Sequence, residues 1–200
     1  NSGSGSGADL SAIRPEGSPI NGGGAASGPV SFARGTDTWA GTIKSGGKSR
    51  RAAKMLTLSV HHPDVRQFIT AKRDAQRRAH ALIDAGFPGN WQSDTWQHEP
   101  FQNSNLSVRV TDEFMRAVID DTTYQLVWDG RVVEEPRARE IWDLICECAW
   151  ETGDPGLQYD TTINKWHTVP KAGRIVSSNP CSEFLHHNDT ACNLASLNLL

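Results

Sequence analysis

Read for its apolar and polar positions, the chain divides into strand-like and helix-like stretches that take turns. Met55-Leu56-Thr57-Leu58-Ser59-Val60 alternates over apolar and β-branched residues, which predicts a strand. His62-Pro63-Asp64 follows as a helix start, with proline in the first turn and an aspartate near the positive end of the dipole. Val65, Phe68 and Ile69 then recur at the spacing of one helix face. The basic stretch to Arg78 reads as the solvated continuation of that helix, and Gly86 suits its C-terminal stop.

Asn105 to Val110 predicts a second strand. Thr111 is placed to cap a helix with acidic residues in its first turn and Phe114, Met115, Val118 and Ile119 as its apolar positions. Trp128-Asp129-Gly130-Arg131 is a hairpin turn between two short apolar runs. From Pro136 the pattern predicts the longest helix, with Ile141, Leu144, Ile145 and Cys148 at core spacing and an end by Gly153-Asp154-Pro155-Gly156. Strands alternating with helices are the pattern of an α/β fold with parallel pairing.

The two ends read differently. Residues 1–30 are rich in Gly, Ser and Ala, and the Ser-Gly alternation from Ser2 to Gly7 reads as linker or loop. No clear strand precedes these glycines, so they make a poor dinucleotide-binding fingerprint. Ser196-Leu197-Asn198-Leu199-Leu200 looks like a strand cut short. With no initiating methionine, the expectation is an internal piece of a longer polypeptide.

Length and charge narrow the setting. Two hundred residues suit one domain with a sizeable core. A net charge of −3 gives no argument for a nucleic-acid or membrane surface, although Lys and Arg cluster from Lys44 to Lys54 and from Lys72 to Arg78. No apolar run approaches the roughly 20 residues of a membrane span, and no secretory signal opens the chain. Four cysteines are too few for a disulfide scaffold, which favours a cytoplasmic protein with working thiols.

Candidate chemistry concentrates near the C-terminus. Ser178-Asn179-Pro180-Cys181-Ser182-Glu183 flanks a thiol with an amide and a carboxylate, and Ala191-Cys192-Asn193-Leu194 brings a second cysteine. In an extended segment side chains alternate, so Asn179, Cys181 and Glu183 would point the same way and could touch one small substrate. A lone cysteine is commonly a buried small hydrophobe, but a packing position has no need of such polar company. Cys146 and Cys148 sit at helical core spacing and read as packing residues. Cys181, His186, His187 and Cys192 lack the close pairing of a zinc knuckle, so no zinc is expected. Lys48, Arg50 and Arg51 lie among flexible glycines and suit an anion-facing loop without the Walker spacing.

These motifs resemble one family in order and wording. Beside the Cys181 motif stand Ser27-Gly28-Pro29-Val30-Ser31-Phe32, Lys44 to Met55, Phe101-Gln102-Asn103-Ser104-Asn105, Ser107 to Met115, and Gly153 to Asn164. The chain resembles the large, catalytic chain of the ribonucleotide reductases, most closely the adenosylcobalamin-dependent branch. The resemblance implies a ten-stranded α/β barrel, of which the chain would supply about the first half. Residues 1–54 would hold effector and specificity loops, and residues 174–200 the radical-cysteine loop and a following strand.

What the resemblance implies for single residues is specific. Cys181 would become a thiyl radical that takes the hydrogen at C3′ of the ribose. Glu183 would take the 3′-hydroxyl proton, and Asn179 would hydrogen-bond the ribose hydroxyls. Cys192 would be one of a pair oxidised to a disulfide, its partner lying upstream and a thioredoxin- or glutaredoxin-type dithiol resetting it. Lys48, Arg50 and Arg51 would belong to the loop linking substrate base and deoxynucleotide or ATP effector. Arg14 matches an effector phosphate contact of the di-iron branch, whereas Asn21 departs from that branch's second arginine. A homodimer is compatible with the family. The alternatives are the large subunit of the di-iron branch and a nucleotide-binding regulatory fragment without catalysis. The isolated piece is expected to be inactive.

Overall fold

The computed structural model describes residues 5–42, 52–193 and 195–200. Four strands, β1 (Gly5–Asp9), β2 (Ala53–Ser59), β3 (Ser104–Val110) and β6 (Gly156–Tyr159), form one sheet in the order β1-β2-β3-β6. Every pair in it is parallel. Between them run α1 (Gly28–Thr42), α2 (Val65–Asp84), the short α3 (Asp94–Gln97), α4 (Asp112–Ile119) and α5 (Ala138–Thr152), with α6 (Asp160–Lys165) after β6. A separate hairpin, β4 (Leu126–Trp128) and β5 (Arg131–Glu134), turns through Asp129 and Gly130, both at positive φ. The predicted α/β class with parallel pairing is thus the observed one. The described residues make an open sheet rather than a closed barrel. Its strands follow chain order without reversal, as barrel strands do.

The parallel register divides the sheet into two unlike faces. Leu56, Leu58 and Val60 share one face with Leu106, Val108 and Val110, and all six are buried. Against them pack Val30 and Ala33 of α1, Phe68 and Ile69 of α2, Phe114 of α4, and Ile141, Ile145 and Cys148 of α5. The opposite face carries Gly7, Asp9, Thr57, Ser59, Asn105, Ser107, Arg109 and Gln158.

Several predicted elements stand as read. Thr111 caps α4, its hydroxyl accepting from the Phe114 amide at 3.2 Å. Gly86 closes α2 at φ +98°, where glycine carries no steric penalty, and its amide donates to Ile83. Other expectations need correction. The Ser-Gly stretch read as loop is strand β1, because Gly5 to Asp9 pair in register with Ala53 to Thr57. Part of the segment assigned to loops is helix α1. Its buried Asp37 accepts from the Phe101 and Asn103 amides at 2.8 Å each, an interaction periodicity does not advertise.

The longest helix is α2, with 20 residues against 15 for α5, which begins two residues after Pro136. Its basic stretch is not merely solvated. Lys72 pairs with Asp154, Arg73 with Glu147, Arg77 with Glu151 and Arg78 with Glu99. The run from Ser196 to Leu200 forms no strand. A strand needs a neighbour to bond to, and without one Leu197, Leu199 and Leu200 stand exposed.

Candidate functional site

The polar sheet face is covered by residues 174–180, which cross it against the strand direction. Arg109 begins the crossing at the C-terminal end of β3: its Nη2 donates to the Ile175 carbonyl at 2.8 Å. Thr57 Oγ1 donates to the Val176 carbonyl at 3.0 Å, and Gln158 Nε2 to Ser178 Oγ at 2.8 Å. At the strand starts, Asn105 Nδ2 donates to the Pro180 carbonyl at 2.8 Å. Two glycines of β1 make room. A Cβ on Gly7 would lie 1.7 Å from the Ser178 carbonyl oxygen, and one on Gly5 would lie 2.6 Å from the Pro180 ring.

A charge inside this face is matched by its surroundings. Arg109 is 3% exposed. It meets Asp160 through Nε at 3.1 Å and Nη2 at 2.6 Å, and Gln158 Oε1 through Nη1 at 2.7 Å. Arg174 closes on the other Asp160 oxygen, and Asn164 donates to the Ile175 carbonyl at 3.0 Å. A buried guanidinium persists only where its donors are satisfied in this way.

The crossing ends in a tight turn. The Ser182 amide donates to the Asn179 carbonyl at 3.0 Å, and Ser182 sits at φ +63°. Asn179 Oδ1 accepts from the Phe184 amide at 2.9 Å, while the Asn179 amide donates to the Phe184 carbonyl at 3.3 Å. The expectation of an extended Asn179-Cys181-Glu183 row is therefore overturned. Pro180 pre-sets the turn backbone, and the asparagine oxygen holds the loop closed. Asn179 is half-buried, and its Nδ2 has no partner among the described residues. Cys181 and Glu183 are exposed on the outside of the turn.

The remaining predicted residues are spread out. Cys192 is an exposed free thiol in coil. Arg14 lies beyond the C-terminal end of β1, at the opposite end of that strand from the Cys181 turn, and donates to the Pro19 carbonyl at 2.8 Å. Lys48, Arg50 and Arg51 fall outside the described residues. Between the two cysteines, His186 and His187 pack with ring centroids 4.2 Å apart, and His167 stands 5.9 Å and 6.2 Å from them. Burial, then the neighbouring His187 and His167 rings, push His186 below the ordinary histidine range. No group of three or more His, Cys, Asp or Glu side chains is arranged to hold a metal ion among the described residues.

The helical cysteines differ from one another. Cys146 is exposed, against the expectation of packing, because it lies on the outer face of α5. Cys148 is fully buried, and its burial pushes the thiol pKa up. In the native full-length protein, Cys148 is expected to alkylate at least about a hundred-fold more slowly than after urea denaturation. Equal rates by peptide mass spectrometry would contradict its burial.

Sequence reading missed Arg109, Gln158, Ser178 and Asp160. Alternation from Asn105 to Val110 does put Arg109 on the face of Asn105 and Ser107, opposite the aliphatic residues. That was the available signal.

A parallel sheet with helices on its apolar face and, across its polar face, a segment that ends in a cysteine-bearing turn defines part of an α/β domain. Over residues 1–200 the chain matches the family model described as ribonucleotide reductase, barrel domain, and it belongs to that family. It is 52% identical over 202 residues to the vitamin B12-dependent ribonucleotide reductase of Rhodopirellula baltica, covering 99% of this chain and 19% of that protein. Identity to the enzyme of the same name from Streptomyces coelicolor is 52% over 200 residues, covering 99% of this chain and 21% of that protein. The vitamin B12-dependent ribonucleoside-diphosphate reductase of Mycobacterium tuberculosis (strain H37Rv) is 40% identical over 200 residues, with 98% of this chain and 25% of that protein covered. The chain thus spans about a fifth to a quarter of the length of these relatives.

Proposed function

We propose that the protein containing this chain reduces ribonucleotides to 2′-deoxyribonucleotides, with Cys181 as the radical-bearing thiol. The observation that carries this reading is the exposed Cys181 at a turn tied to the polar sheet face, with Glu183 and the Asn179 amide beside it. The names of the relatives support it and favour adenosylcobalamin over a di-iron subunit. The exposed Cys181 thiol is open to the approach of such a cofactor. When bound, adenosylcobalamin supplies the radical equivalent that removes the hydrogen atom from a thiol.

From there the chain's own residues do the chemistry. The Cys181 sulfur takes the hydrogen from ribose C3′, so that an S–H bond forms as the C–H bond breaks. Glu183 accepts the 3′-hydroxyl proton, which eases departure of the 2′-hydroxyl as water. Asn179 Nδ2 holds the ribose hydroxyls against the sulfur. As Cys192 and a cysteine outside this chain become a disulfide they supply two electrons and two protons. One proton leaves with the 2′-hydroxyl as water and the other becomes the new hydrogen at C2′. Glu183 returns its proton to the 3′-oxygen and Cys181 its hydrogen to C3′. A thioredoxin- or glutaredoxin-type dithiol resets the pair. Arg14 would meet the phosphate of a deoxynucleotide or ATP effector, and Lys48, Arg50 and Arg51 would relay its presence toward the substrate base. Chemistry that consumes thiols suits a reducing compartment, so we place the protein in the cytoplasm. No described helix is long and apolar enough to cross a membrane.

The test is ribonucleotide reduction by the full-length protein with a dithiol, with and without adenosylcobalamin. Turnover that depends strictly on the cofactor is the expected result. Turnover that needs a second, radical-generating subunit instead would transfer the protein to the di-iron branch. No deoxynucleotide under any of these conditions would overturn the reading.

A further inference from the structure

We infer that Arg109, Gln158 and Ser178 form a positioning relay that sets where the Cys181 turn sits, an inference that rests on the reductase reading above. The relay is a directed run of hydrogen bonds. Arg109 Nη1 donates to Gln158 Oε1 at 2.7 Å, which fixes the amide so that its Nε2 faces Ser178. Gln158 Nε2 donates to Ser178 Oγ at 2.8 Å, and that hydroxyl donates to the Asn179 carbonyl at 2.8 Å. The same carbonyl accepts the Ser182 amide that closes the turn. The relay therefore ends on the peptide oxygen that defines the turn, two residues before the thiol.

Burial gives this run its leverage. Arg109, Gln158 and Ser178 are 3%, 4% and 6% exposed, so each bond acts in a low-dielectric setting and an unmade partner is costly. Filling the sheet face would not require three polar side chains in sequence; aliphatic residues would pack it. A directed chain instead orients one carbonyl. Ser182 Oγ lies 3.2 Å from Ser178 Oγ and 3.5 Å from Gln158 Nε2, so the far side of the turn leans on the same two groups. Hydrogen transfer between sulfur and carbon needs near-contact of the reacting atoms, and a misplacement of about 1 Å costs on the order of a hundred-fold in rate. None of the three residues needs to touch substrate to control that distance.

The experiment uses the full-length protein, unsubstituted and as Ser178→Ala and Gln158→Ala. Turnover is measured with its kcat and KM separated, alongside the alkylation rate of Cys181 by peptide mass spectrometry and the melting temperature. Both variants are expected to keep the melting temperature within a few degrees and KM within about two-fold. Both should lose about ten-fold or more in kcat and shift the Cys181 alkylation rate by about three-fold or more. Unchanged kcat and alkylation in folded variants overturn the relay, as does an effect of Ser178→Ala that Gln158→Ala lacks. Collapse of the fold in both variants assigns the network to structure alone and also overturns it. If the unsubstituted protein makes no deoxynucleotide, the functional reading fails separately, and the alkylation rates still report whether the relay sets the turn.

Discussion

The full-length protein carrying Cys181→Ser is expected to fold as the unsubstituted protein does and to lose ribonucleotide reduction by about a thousand-fold or more. The side chain is exposed at a turn whose hydrogen bonds are all made by other groups, so replacing sulfur with oxygen disturbs no packing. The chemistry is another matter. An S–H bond is weak enough to exchange hydrogen with a carbon radical in both directions, whereas a serine O–H bond is too strong to be opened. Substrate affinity should be unchanged within about two-fold, because binding and hydrogen transfer are separate demands. Turnover within ten-fold of the unsubstituted protein would remove Cys181 from the centre of the mechanism.

Gly7→Ala should act from the other side of the same contact. The new methyl would sit 1.7 Å from the Ser178 carbonyl oxygen and 2.8 Å from its carbon, so backbone has to move. Overpacking of this kind costs about 1–3 kcal/mol. Since 1.4 kcal/mol is a factor of ten, the Ser182 and Phe184 amides, which close the turn, should exchange with solvent about five- to a hundred-fold faster. Activity should fall by at least about ten-fold, because residues 177–180 lead into the turn that bears the Cys181 thiol. Gly35→Ala is the matched control, where an added Cβ meets nothing within 4 Å and a helical alanine is favoured over glycine. Equal exchange and equal turnover in Gly7→Ala would show that β1 does not seat the turn.

Strands β2 and β3 were legible because their aliphatic residues alternate, and α2, α4 and α5 because theirs recur at helical spacing. Strand β1 was not legible, since Gly5 to Asp9 carry almost no hydrophobic signal. Its state comes from pairing with β2 and from the room its glycines leave for residues 177–180. Helix α1 hid for a related reason: its buried positions include Ala33, Asp37 and Ala40, and the aspartate earns burial by bonding two amides of a distant loop. At the candidate site the residue types were readable and the shape was not. Alternation presumes an extended chain, but Pro180 and the Asn179 side chain fold that segment on itself. The supporting residues Arg109 and Gln158 escaped because strand periodicity shows which face a polar residue occupies, not what lies across from it.

The ion pairs between α2 and α5 have a consequence larger than their energy. Arg66 meets Glu140, Arg73 meets Glu147 and Arg77 meets Glu151, and each pair is separated by the same 74 residues. A constant separation means that the two helices run in the same direction and in step. Exposed pairs contribute little to stability one at a time, typically under about 1 kcal/mol. Their value lies in the direction they report. In an antiparallel pair of helices the sum of the two residue numbers stays constant from contact to contact, whereas here the difference does. The helices that connect β2 to β3 and β3 to β6 thus carry written on their surfaces the parallel winding that the sheet beneath them requires.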